Sequence, residues 1–269
     1  MVQPVPYTDI EMMLIAGSRE IKDEQVVCTG TFWPLVAVTH AKKCHARNIV
    51  TVFEGGVIRD LSAFRIPLLT ADVSIMIDAI LVNDCFDTLG MILHGGRDQI
   101  SMLSAASIDK YGNINTTCVG NYFQPDFRLA GSGGAADFGV FSKNLVVLIE
   151  HDRRRFQERV DYITTPGFLE GGRSREKAGM DPGTGPSTVI STMGVFRFDQ
   201  ETKEMYLAAC FPEKNVDQIR DNVQWDLKIA DDIYEVAPPS EEELRVLREE
   251  VDPGGMYLRG ERERSDWSA

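Results

Sequence analysis

Helix-like and strand-like segments alternate along this chain. Residues 8–22 read as a helix, opened by Thr8 with Glu11 three residues on, the reciprocal capping pair that satisfies the first free N–H groups. Residues 25–29 form a short strand ending at Gly30, 34–44 a second helix, and 48–53 a second strand. Further β-branched or apolar runs stand at 74–77, 91–93, 145–149, 188–191 and 195–198. Helix and strand signals interleaved in this way predict an α/β fold, an open and mainly parallel sheet between helical layers. From Gly194 the pattern becomes a hairpin, with 199–203 turning the chain into 204–209. Near the end Ser240 and Glu243 repeat the capping pair. The acidic residues around Glu243 suit a helix N-terminus. Leu244, Leu247 and Val251 make an apolar stripe, and Pro253-Gly254 stops the helix.

No repeat or low-complexity linker interrupts this order, so residues 1–258 are expected to form one domain. The polar stretch 259–269 has little to bury and is expected to be a mobile tail, in which Trp267 has no explanation. The 269 residues suffice for a substantial core. A net charge of −13 argues against a nucleic-acid surface, though not against a local cationic cluster for an anionic ligand. No apolar run reaches the roughly 18 residues that span a bilayer, and the first residues lack the order of a signal peptide. A cytoplasmic protein is expected. Cys28, Cys44, Cys85, Cys118 and Cys210 are odd in number and form no C-x-x-C pair. His40 and His45 flank Cys44 at no common ligand spacing. Neither a disulfide framework nor a metal site is expected.

Two segments carry candidate chemistry. Ile49-Val50-Thr51-Val52-Phe53-Glu54-Gly55-Gly56 sets a carboxylate at a strand end, beside residues without a Cβ. In open α/β sheets ligands bind at such strand ends. The second is Gly131-Ser132-Gly133-Gly134-Ala135-Ala136-Asp137. Its small residues let backbone N–H groups approach a ligand oxygen, as in an oxyanion hole or phosphate cradle. It is neither a Walker loop nor a dinucleotide fingerprint. A tight turn between packed elements would look the same.

Taken with the ordered segments Gln25-Val26-Val27, Ile108-Asp109-Lys110-Tyr111-Gly112-Asn113-Ile114-Asn115, Arg153-Arg154-Arg155-Phe156, Asp161-Tyr162-Ile163-Thr164-Thr165-Pro166-Gly167 and Met205-Tyr206-Leu207-Ala208-Ala209, these motifs are informative. The chain resembles the family I CoA-transferases, and among them beta subunits of the glutaconate CoA-transferase type, from Tyr7 to Gly255. The resemblance implies that Glu54 is the nucleophile, passing through a mixed anhydride to a glutamyl-CoA thioester. It also implies that Gly133 or Gly134, next to Ser132, supplies a backbone donor. Coenzyme A would be a substrate, with no permanently bound cofactor. A separate alpha subunit would complete the site, in an α2β2 heterotetramer. The same resemblance admits ring-opening acyl-CoA hydrolases and decarboxylases, which tend to lack or shift this glutamate, and a non-enzymatic scaffold subunit.

Two departures bear on the substrate. Ser104-Ala105-Ala106-Ser107 lacks the side-chain amide that relatives carry where Ser107 stands, which weighs against a small dicarboxylic substrate. Phe32-Trp33-Pro34 replaces a less bulky stretch, which points to an apolar or aromatic acyl group beside it, or to simple core packing. Arg153, Arg154, Arg155, Arg173, Arg175 and Lys177 are candidates for CoA phosphates, or for a solvated charged face or a subunit contact. Asp109 to Asn115 is most simply a turn, and His151 beside Glu150 shows no triad partner.

Overall fold

Helix α1 (Asp9–Arg19) begins where the capping pair predicts. Thr8 Oγ1 accepts from the Glu11 N–H at 3.2 Å, and Glu11 Oε2 accepts from the Thr8 N–H at 2.8 Å. Strand β1 (Val26–Thr29), helix α2 (Trp33–Cys44) and strand β2 (Val50–Phe53) follow close to their expected bounds. This computed structural model describes residues 5–60, 66–67, 69–93 and 99–258, of which 91–93 by backbone alone. The tail at 259–269, Trp267 included, lies outside the described residues.

After β2 the chain doubles back into β3 (Val57–Arg59) and β4 (Leu81–Val82), an antiparallel margin. A helical segment follows, starting as α3 (Cys85–Asp87) and widening into π-type turns over Thr88–Leu93. Strand β5 (Gln99–Ser104) then lies beside β1. Next come the short pairs β6 (Ser107–Asp109) with β7 (Ile114–Asn115), and β8 (Cys118–Gly120) with β9 (Pro125–Arg128). Helix α4 (Ala135–Phe141) leads into β10 (Asn144–Ile149), and β11 (Phe156–Gln157) joins β6. Helix α5 (Ser174–Lys177) precedes β12 (Pro186–Ser191) and the hairpin of β13 (Gly194–Phe198) and β14 (Met205–Cys210). Helix α6 (Val216–Asp221), strand β15 (Lys228–Glu235) and helix α7 (Glu241–Arg245) complete the order, α7 running on as π-type turns over Val246–Val251.

The large sheet is ordered β15-β14-β13-β12-β10-β5-β1-β2-β3-β4. Its central strands β12, β10, β5, β1 and β2 run parallel, as the interleaved pattern predicts. Side chains alternate across it with a period of two. Val27, Phe53, Val146 and Leu148 pack under α1, α2 and the C-terminal helix. Cys28, Val52, Leu145, Val147 and Ile149 face the opposite core, with Phe138 of α4. That second face holds the candidate site, because Glu54 continues the side of Val52. Among the described residues no helix is long and apolar enough to cross a membrane.

Several segments differ from the sequence reading. The run 74–77 belongs to a 3₁₀ turn, Val73–Met76, with Asp72 capping the Ser74 N–H at 2.9 Å. Residues 91–93 are part of the π-type turns rather than a strand. Short apolar runs do not distinguish strand from helix, and a local cap decided the first case. Strand β5 carried no clear signal because its serines interrupt the apolar run. Ser101 is nonetheless buried, its hydroxyl 2.6 Å from that of Ser142.

The C-terminal helix matches its stripe: Leu244, Leu247 and Val251 are all buried. Arg19 grips Glu243 with two 2.8 Å bonds, and Ser240 N–H donates to the same carboxylate at 2.8 Å. Burial disfavours the charged carboxylate, but these donors outweigh it and hold its pKa at about 2, below the ordinary 4.5. The pKa is depressed in the folded state, so the stabilisation is complete above about pH 4.5 and is lost as pH falls toward about 2. Melting temperature should fall through that window, and Glu243→Gln should flatten the slope. Parallel slopes in both proteins would remove Glu243 from the account.

Candidate active site

The turn after β2 is built to bring distant segments against one carboxylate. Gly56 N–H donates to Phe53 O at 3.0 Å, and Asn83 N–H donates to Gly56 O at 2.8 Å. Gly56 has φ 102°, and a Cβ there would lie 1.9 Å from the Asn83 carbonyl, so only glycine fits. A Cβ at Gly55 would sit 2.8 Å from Thr70 O. These close approaches draw the Thr70 segment alongside Glu54.

Both oxygens of Glu54 then receive a donor. Thr70 Oγ1 donates to Oε1 at 3.0 Å, and the Gly134 N–H donates to Oε2 at 3.2 Å. Gly134 precedes α4, and Gly133 (φ 49°) turns the chain into it. A Cβ on Gly133 would stand 3.1 Å from Oε1, and one on Gly134 would stand 2.7 Å from Leu89 Cδ1. The two glycines named from sequence therefore do meet Glu54. Ser132 is exposed and does not line the cleft; its carbonyl accepts from Ala135 N–H at 2.9 Å. Glu54 itself is half-buried and forms no ion pair among the described residues. A carboxylate held by neutral donors keeps its charge available for attack on an electrophile.

Glu54 opens onto a cleft of ≈ 760 Å³, within the usual range for small-molecule sites. Its walls are mainly apolar: Ala71, Cys85, Phe86, Leu89 and Phe141, with Asp137 as the other acidic group. Thr70 and Phe86 had no sequence signal linking them to Glu54, and Asp137 entered only as the end of the glycine motif. Thr70 is 3% exposed, and its role is visible only through the hydroxyl contact. Thr70→Val keeps the shape and removes one hydrogen bond to a charged group. Losing about 1.5–3 kcal/mol should lower kcat/KM by roughly tenfold to a hundredfold. Thr70→Ser should restore most of it; equal loss in both variants would tie the effect to packing instead.

The other sequence candidates separate clearly. Arg153 donates to the carbonyls of Asp221 and Val223, and Arg155 pairs with Glu150 at 3.2 Å. Arg154 and Arg173 are exposed beside Asp152 and Glu176. Lys177 is exposed on α5. Arg175 corrects the phosphate reading: it is 2% exposed and donates to the carbonyls of Pro166, Gly167, Gly139 and Val140 and to Thr184 Oγ1. Burial pulls its pKa down to about 10. Its two terminal nitrogens form a structural clamp on these oxygens, while Nε is buried without a partner.

Asp109 to Asn115 is the turn it was read as. Asp109 is buried and accepts from the N–H groups of Tyr111 and Asn113 and from the Asn113 amide. Burial raises the Asp109 pKa, against the pull of those bonds. Asn113 Oδ1 accepts from Gly167 and Leu169 N–H groups, joining the turn to the 164–169 segment. Ser107 is buried in β6, outside the cleft lining. Trp33 packs in the core and donates to Tyr257 O at 3.3 Å, with Phe32 against both rings at 4.9 and 5.7 Å. Core packing accounts for that aromatic stretch. His151 donates Nε2–H to Ile219 O at 3.0 Å and lies between Phe156 and Phe196. Burial lowers its pKa.

Comparison with known proteins gives the family. Residues 10–222 match the family model described as coenzyme A transferase. One of the subunits of glutaconate CoA-transferase from Acidaminococcus fermentans is 33% identical over 256 residues, covering 94% of this chain and 95% of that protein. The crystal structure of that organism's enzyme superposes with a TM-score of 0.88 at 32% identity, covering 96% of this chain and 100% of the matched chain. The corresponding subunit of 3-oxoadipate CoA-transferase from Pseudomonas knackmussii is 31% identical, covering 90% and 92% of the two chains. More distant is the cholesterol ring-cleaving hydrolase IpdB subunit of Rhodococcus jostii, 27% identical over 61% of this chain and 64% of that protein. With its sheet and most of its length matched in this way, the chain belongs to the coenzyme A transferase family.

Proposed function

We propose that this chain is the beta subunit of a CoA-transferase that moves CoA from an acyl-CoA to a carboxylic acid through Glu54. The observation that carries the reading is a cleft-facing carboxylate with one neutral donor on each oxygen. A Glu54 oxygen attacks the thioester carbon, the C–S bond breaks, and CoA leaves as thiolate. The thiolate then attacks the Glu54 carboxyl carbon of the mixed anhydride and expels the first acid, leaving a glutamyl-CoA thioester. A second carboxylate attacks that carbon and releases the thiolate. Finally the thiolate takes the new acyl group and frees Glu54. Each tetrahedral stage at the glutamyl carbon places negative charge on an oxygen that Thr70 or the Gly134 N–H already faces.

An alpha subunit completes the enzyme in this reading, as α2β2. The sheet margin supports it, with Leu69, Val73, Ile77, Leu81 and Val82 all exposed. Large apolar side chains exposed on one margin suit a permanent partner better than water. The enzyme works in the cytoplasm, where CoA thioesters are made and used. The decisive experiment incubates the reconstituted pair with acyl-CoA, then hydroxylamine or borohydride, and weighs the Glu54 peptide. A transferase leaves a modified Glu54. Turnover with that peptide unchanged would favour the hydrolytic chemistry of the more distant relative.

A further inference from the structure

We propose that the cleft beside Glu54 accepts an apolar acyl chain that carries no second charge, an inference that rests on the transferase reading above. Phe86, Leu89 and Phe141 form one continuous apolar wall next to the reactive carboxylate. Phe86 is 84% exposed, so a large aromatic ring stands open to whatever enters. The charged groups among the described lining residues are Glu54 and Asp137, both acidic, and no lysine or arginine joins them.

A substrate bound with its thioester at Glu54 extends along these walls. The pantetheine arm of CoA carries two amides, which would face apolar side chains without partners, at a desolvation cost. An alkyl chain meets no such cost, and each methylene buried against the wall favours binding roughly fourfold. A dicarboxylic acyl group would bring its distal carboxylate into the low-dielectric cleft shared with Asp137. Like charges at that range oppose binding. Asp137 therefore acts as a specificity residue by exclusion, and Phe86 by attraction.

The test compares hexanoyl-CoA with adipoyl-CoA, which share chain length and differ in the terminal group. In the complete complex with the alpha subunit, hexanoyl-CoA should be preferred by about tenfold or more in kcat/KM. Asp137→Asn should narrow that ratio several-fold, and Phe86→Ser should narrow it from the other side by slowing hexanoyl-CoA. Phe86 is exposed, so the second variant needs no repacking of the core. Equal or better use of adipoyl-CoA, a ratio indifferent to Asp137→Asn, or no turnover of hexanoyl-CoA would each overturn the proposal. Trapping at Glu54 keeps the two ideas apart. A Glu54 adduct formed from adipoyl-CoA alone overturns the acyl class and leaves the transferase, whereas turnover without any adduct overturns the transferase itself.

Discussion

Glu54→Gln is expected to slow CoA transfer by roughly three orders of magnitude or more while leaving the fold in place. The carboxamide occupies the same space, and its oxygen can still accept from the Gly134 N–H, now at 3.2 Å from Oε2. Thr70 can turn its hydroxyl to accept from the amide nitrogen. What disappears is the negative oxygen that attacks the thioester, and neither donor can substitute for it. Rates measured on the reconstituted complex, with the melting temperature alongside, separate chemistry from folding. A non-enzymatic scaffold would lose almost nothing, so a near-normal rate with a normal melting temperature would defeat the covalent route.

Arg175→Met should produce the largest loss of stability, about 3–5 kcal/mol. The side chain is buried, and its removal takes five hydrogen bonds from four carbonyls and the Thr184 hydroxyl, of which Val140 O keeps a second donor in Thr184 Oγ1. Methionine fills most of the volume but donates nothing. At about 2–4 °C per kcal/mol, melting should drop by roughly 10 °C. The desolvation that lowers the Arg175 pKa already opposes its charge, so the loss falls short of the sum of five hydrogen bonds. Two of those carbonyls, Gly139 and Val140, belong to α4, whose first turn carries the Gly134 donor. Activity should therefore weaken with stability. Unchanged melting together with weaker CoA binding would return Arg175 to the phosphate-binding role.

Helices α1 and α7 were legible from residues a few positions apart, whereas α3, α4, α5 and α6 were not. Thr8 with Glu11, and Ser240 with Glu243, are closed local pairs, and both form as written. The hairpin after Gly194 was equally local, since Phe198 and Met205 face each other across one turn. The central strand β5 was not legible, because burial of Ser101 depends on a hydroxyl 41 residues away. The arginines were misleading for the same reason. A run of basic residues declares its charge, but only the folded chain shows Arg175 and Arg153 donating to backbone carbonyls.

By itself the sequence determined the alternation of elements, the strand-end position of Glu54 and the glycine bend at Gly133 and Gly134. Those features follow from short-range rules: side-chain periodicity, capping geometry and the conformational freedom of residues without a Cβ. Only the tertiary structure decided which groups share the cleft. Gly134 lies 80 residues from Glu54 and Thr70 lies 16, and neither distance along the chain predicts a contact. Sheet order and close backbone packing at Gly55 and Gly56 bring them together, through contacts that depend on the whole fold rather than on any local segment.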